Sequence, residues 1–172
     1  IMQDIWNRNT NEIQKAIQEK GFNSILLIPN NLPKLSEINQ KMTKGYADTY
    51  QSSNFKAGGS FEGVADNESG GRIILIHNHQ RIKDHPILKQ TLNKKAEDFI
   101  KDGETLTLAD YLILQRKSLD DTGGLESGKH IDTKHEDGFY YWTWLPGSTV
   151  KNPSGGVRAV DAYWRSDYGR LS

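Results

Sequence analysis

The longest apolar runs in this chain lie in two five-residue stretches, "SILLI" (residues 24–28) and "RIILI" (residues 72–76). Neither approaches the roughly 18 residues that a membrane-spanning helix needs, so no membrane span is expected. Both have the length of a buried strand. The rest of the core must therefore come from amphipathic helices and half-exposed strands. Hydrophobic residues make up 35% of 172, which is low but sufficient for a core in a chain of this length. That length suits one domain, or one and a half. The chain carries 22 Lys plus Arg against 22 Asp plus Glu. A net charge of zero gives no electrostatic grip on nucleic acid or on an anionic membrane, and no nucleic-acid partner is expected. With no cysteine, disulfide and thiolate chemistry are excluded. The chain opens on Ile1 and Met2 without a signal-peptide pattern, as a trimmed terminus would.

The spacing of Ile13, Ala16 and Ile17 in "NTNEIQKAIQEKGF" predicts a helix, with Asn9 or Thr10 as its cap and Gly21 as a left-handed stop. Ser24 to Ile28 follows as a strand, ended by Pro29. Leu35, Ile38 and Met42 recur at helical spacing behind Pro33. Residues 44–71 are rich in Gly, Ser, Asn and Asp and predict loops around at most a short strand. After the strand Arg72–Ile76, a helix opening at Asp84, His85 and Pro86 is expected to face Ile87, Leu88, Leu92, Ala96 and Phe99 inward, until "KDGE" breaks it. Thr107 and Asp110 form a variant capping box for a helix to about Asp120. Phe139–Leu145 predicts a strand, Pro146–Gly156 a loop, and Val157–Tyr163 a half-exposed strand. These elements predict an α+β fold: an amino-terminal α/β portion over residues 1–104 and a portion with one helix and several strands over 105–172.

Three motifs raise possible chemistry. "GGLESGKH" places Gly123, Gly128 and Lys129 as a phosphate-binding loop would, but His130 stands where a Ser or Thr hydroxyl should meet magnesium. A helix precedes it instead of a strand, so a solvated loop is the better reading. "HNHQRIKDH" is similar to the ligand run of metallo-β-lactamase-like hydrolases, with His77, His79, Asp84 and His85 as candidate ligands. Four residues separate His79 from Asp84 where that family has one, and imidazoles at a strand end are commonly surface or capping groups. "HIDTKHED" offers His130, Asp132, His135, Glu136 and Asp137, with calcium favoured over zinc because oxygen ligands predominate. Its plain reading is a turn-rich loop. A metal-dependent hydrolase using a His/Asp cluster is thus the alternative function. No "GxSxG" elbow is present, and neither an enzyme nor a cofactor is expected.

The last 34 residues hold three of the four tryptophans and four of the seven tyrosines. In "FYYWTWLPGS", alternation puts Phe139, Tyr141, Thr143 and Leu145 on one face and Tyr140, Trp142 and Trp144 on the other. Both faces are bulky, so a central strand with its tryptophan face in the core is expected. "DAYWRSDYGR" differs: it mixes Tyr, Trp and Arg with Ser and Asp and has little to bury. That is the composition of recognition surfaces, although an ordinary hairpin has it too.

The succession "LTLADYLILQRKSLDDTG", "HID", "YWTWLPGS" and "GGVRAVDAYWRSDYGRLS" resembles the target proteins of diversity-generating retroelements, over about 65 residues. "GFNSILLIPNNLP" and "NFKAGGSFEGV" resemble their leading portion more loosely. The resemblance implies a C-type-lectin-like carboxy-terminal variable portion, in which mutagenesis directed at adenines alters scattered codons on a fixed scaffold. It implies Trp142, Trp144, Leu145, Gly156, Arg158, Trp164 and Leu171 as scaffold. It implies Asp161, Tyr163, Arg165, Ser166, Asp167 and Tyr168 as displayed ligand-binding positions, turned toward a partner expected to be a protein. Such a domain continues to a late "LGxRP"-like strand, so a truncated variable portion is expected here.

Overall fold

The computed structural model describes residues 2–35, 37–38, 64–66, 71–76, 84, 86–103, 106–122, 143–151, 154–162, 164–165 and 170–171. They form a mixed α+β structure whose paired strands are all antiparallel. The chain divides into two compact units: Ile1–Leu32 with Ser69–Lys94, and Pro33–Glu68 with Lys95–Ser172.

The first unit holds helix α1 (Met2–Lys20) and strands β1 (Ser24–Ile28) and β3 (Arg72–Ile76). α1 starts seven residues before the expected cap. Thr10 is therefore inside the helix, where its hydroxyl donates back to the Trp6 carbonyl at 2.8 Å instead of capping. Gly21 ends the helix as expected, at φ 72° and with its N–H on the Ile17 carbonyl. β1 and β3 pair in register from Ser24↔Ile76 to Ile28↔Arg72, and α1 packs on β3. Leu26, Ile28 and Ile76 fill the buried face. Antiparallel pairing makes this unit α+β, not the α/β arrangement expected of the amino-terminal portion; element order alone does not fix strand direction. Gly71, at φ 70°, donates its N–H to the Pro29 carbonyl and lies against the Asn30 side chain.

The long helix expected from Asp84 does not form. Leu88–Thr91 make a single 3-10 turn, Leu92 is extended, and Asn93 takes a left-handed φ of 64°. The helix restarts as α2 (Ala96–Lys101), whose first turn is closed by the Lys95 N–H on the Asp98 carboxylate. Asn tolerates the left-handed turn, and that local solution wins over the apolar spacing that bridged the gap.

The second unit is built on α3 (Leu108–Thr122) and a three-stranded sheet ordered β2 (Val64–Asp66), β4 (Thr143–Lys151), β5 (Val157–Ala162). α2 and α3 both pack on β4. Leu108, Tyr111, Leu112 and Leu114 of the helix and Leu145, Val160 and Ala162 of the sheet are buried residues of this unit. The capping box is as expected: the Thr107 N–H donates to Asp110 Oδ2 at 2.9 Å, and the Asp110 N–H to Thr107 Oγ1 at 3.2 Å.

The expected loop from Pro146 is instead strand. β4 runs through Pro146 to Lys151 because it bulges. Pro146, Gly147 and Ser148 lie between the pairs Leu145↔Val160 and Thr149↔Ala159, with no β5 residue opposite them. A bulge is where a central strand tolerates a proline, since no ladder hydrogen bond is lost there. The bulge is also the seat of α3. The Gly147 N–H donates to the Leu106 carbonyl at 3.0 Å, and the Leu108 N–H donates to the buried Ser148 Oγ at 2.7 Å. Beyond β5, β6 (Trp164–Arg165) and β7 (Arg170–Leu171) pair antiparallel, Trp164 with Leu171 and Arg165 with Arg170.

Candidate functional site

The register of β4 on β5 sorts their side chains into two faces, because directly opposed residues share a face and neighbours alternate. Thr143↔Ala162 and Leu145↔Val160 form one set, and Leu145, Val160 and Ala162 are buried. This is the core face. Trp144↔Asp161 belongs to the other face, with Thr149↔Ala159 and Lys151↔Val157 further along. Trp144, Asp161, Thr149 and Ala159 are half-buried there, Lys151 is exposed, and Val157 is 63% exposed. The expectation of a tryptophan face in the core is thereby corrected for Trp144. Leu145 holds the core side of β4, and alternation then carries Trp144 away from it. Trp142 lies outside the described residues.

Asp161 is the one expected ligand-binding residue whose side chain falls among the described residues. Burial pushes its carboxyl above the ordinary 3.8, against a backbone hydrogen bond and, more weakly, the Arg158 guanidinium, both of which favour the charged form. Arg158 sits one residue from Ala159 on the strand and, by alternation, on the opposite face of the sheet from Asp161. Arg165 lies on β6, opposite Arg170 of β7. Tyr163, Ser166, Asp167 and Tyr168 lie outside the described residues, so the structure does not bring the six positions together or separate them.

Of the implied scaffold, Leu145 is fully buried, Gly156 and Arg158 are exposed, and Trp164 and Leu171 are paired across β6 and β7. Of the candidate metal ligands, Asp84 is exposed, while His77, His79 and His85 and the whole run His130–Asp137 lie outside the described residues. Among the described residues, no group of three or more His, Cys, Asp or Glu could hold a metal ion, and no helix is long and apolar enough to cross a membrane.

Sequence reading did not place Trp144 beside Asp161. The signal was present in "WTWL", where Trp144 and Leu145 must face opposite ways, but choosing the core side requires the β5 partner. No family model, curated protein or solved structure matches this chain.

Proposed function

We propose that the second unit is a ligand-binding display module with a C-type-lectin-like arrangement, and that it is not an enzyme. It recognises a partner protein through Asp161, Tyr163, Arg165, Ser166, Asp167 and Tyr168. One observation carries this reading: the aromatic and polar segment begins at Asp161, on the face of β5 turned away from Leu145, Val160 and Ala162. Residues on that face can change without opening the core. Asp161 adds support, since a half-buried carboxyl held above its ordinary range is kept at a cost to folding, as functional residues often are. The binding mechanism is burial of Tyr and Trp area with hydrogen bonds from Ser and Asp. A rigid sheet limits the entropy lost on docking.

The genomic locus tests the reading. The expected result is an adjacent near-copy of the 3′ coding end, differing at adenines within the codons of these six positions, beside a reverse transcriptase. A locus with neither element overturns the retroelement origin of the surface.

A further inference from the structure

We propose that the outer edge of β1 is a self-association surface, on which a second copy of this chain lays its own β1 antiparallel about Leu26. The inference concerns the first unit alone. It goes beyond the display reading and does not rest on it.

The β1–β3 sheet has two apolar faces. Directly opposed residues share a face, so the ladder puts Leu26, Ile28 and Ile76 on one side and the pairs Ile25↔Leu75 and Leu27↔Ile73 on the other. Leu26, Ile28 and Ile76 are buried. On the other side Ile25, Ile73 and Leu75 are half-buried, and Leu27 is 52% exposed. Aliphatic side chains gathered on a face turned partly to water mark a contact surface.

The edge of the sheet points the same way. Among the described residues, β1 pairs with β3 alone. Edge strands are commonly blunted by charge, proline or a bulge, because their unpaired N–H and C=O groups template another strand. Ser24–Ile28 has none of these. Its register on β3 is unbroken, it carries no charged side chain, and Pro29 stands just past its end.

The edge fits itself. A two-fold axis at Leu26 sets Leu26 opposite its own copy, Ile25 opposite the second copy's Leu27, and Ser24 opposite its Ile28. The strand is centred on that axis, so donors meet acceptors without a slip of register, and no like charges are brought together. Both faces of the sheet continue across the axis, and each exposed Leu27 gains an Ile25 beside it. A polar or charged peptide at this edge would set its side chains against Ile25 and Leu27; the strand's own sequence does not. Each copy uses the same edge, which closes the assembly at two. A five-residue edge is small against the roughly 1,600 Å² of a standard interface, which makes this a reversible dimer.

The test is sedimentation velocity of the full chain at concentrations from about 1 µM to about 1 mM. The expected result is a monomer–dimer equilibrium with no larger species. Leu27→Lys changes an exposed side chain and should leave the far-ultraviolet circular dichroism unaltered. It places two lysines diagonally across the axis, roughly 7–8 Å apart, and should weaken the dimer about tenfold. Leu27→Glu should do the same alone, and mixing the two variants should restore association, since lysine then faces glutamate. A monomer at every concentration overturns the second copy as the occupant of this edge. A dimer indifferent to both variants puts the contact elsewhere and overturns the proposal. Weakening by each variant without recovery on mixing overturns the two-fold pairing about Leu26, and growth beyond two copies overturns the closed assembly.

Discussion

At the scale of single residues, Asp161 ties stability to pH. Its carboxyl is raised above 3.8, chiefly by burial, so the folded chain holds this proton more tightly than the unfolded chain. Between 3.8 and the raised value, stability falls as pH rises, and above both the whole cost is present. Asp161→Asn should therefore melt at a higher temperature than the parent at pH 7. The gap should narrow as the pH drops through that window and vanish below it. Thermal melts of both proteins across pH 3–7 check this; a variant less stable at pH 7 contradicts it. Gly71 gives a second case. A Cβ there would meet Asn30 Oδ1, and the residue stands at φ 70°. Gly71→Ala should cost about 1–3 kcal/mol, read by denaturant unfolding. Some residue-level features were legible: Gly21 as a helix stop needs only its own φ preference. Thr10 was not, because a hydroxyl can cap or bond back one turn, and the upstream helix decides which.

Elements depend on neighbours that sequence spacing does not show. The Thr107/Asp110 box was readable, since both partners lie within four residues. Its companion was not: Ser148 receives the Leu108 N–H from 40 residues away. Ser148→Ala would leave that buried N–H without its acceptor and should cost about 1–2 kcal/mol, measured by denaturant unfolding with an unchanged m-value. A neutral result would show that the bulge does not anchor α3. The same bulge explains why Pro146 and Gly147 read as a loop. Proline and glycine mark turns locally, yet here β2 and β5 flank them and hold the strand on either side. In the Asp84–Lys101 stretch the error ran the other way: apolar spacing suggested continuity, and Asn93 broke it.

For the whole molecule, the apolar runs 24–28 and 72–76 were readable as strands because burial on that scale has few other solutions. Their antiparallel pairing was not, because 43 residues separate them and direction depends on the path between. Nor was the way the chain passes between its two compact units, since β2 joins β4 from far upstream. The aromatic and polar make-up of residues 161–170 was legible by composition, while the core side of the sheet emerged only from the register of β4 on β5. The central claim is that the core and the proposed recognition surface are separable. Leu145→Ala, which empties a fully buried site, should cost about 3 kcal/mol and unfold part of the population near physiological temperature. The decisive measurement randomises Asp161, Tyr163, Arg165, Ser166, Asp167 and Tyr168 together and scores protease resistance of the displayed library against the parent and Leu145→Ala. Parent-like resistance in most members is the predicted result. Resistance lost across the library, to the level of Leu145→Ala, would contradict it and make the aromatic segment part of the fold.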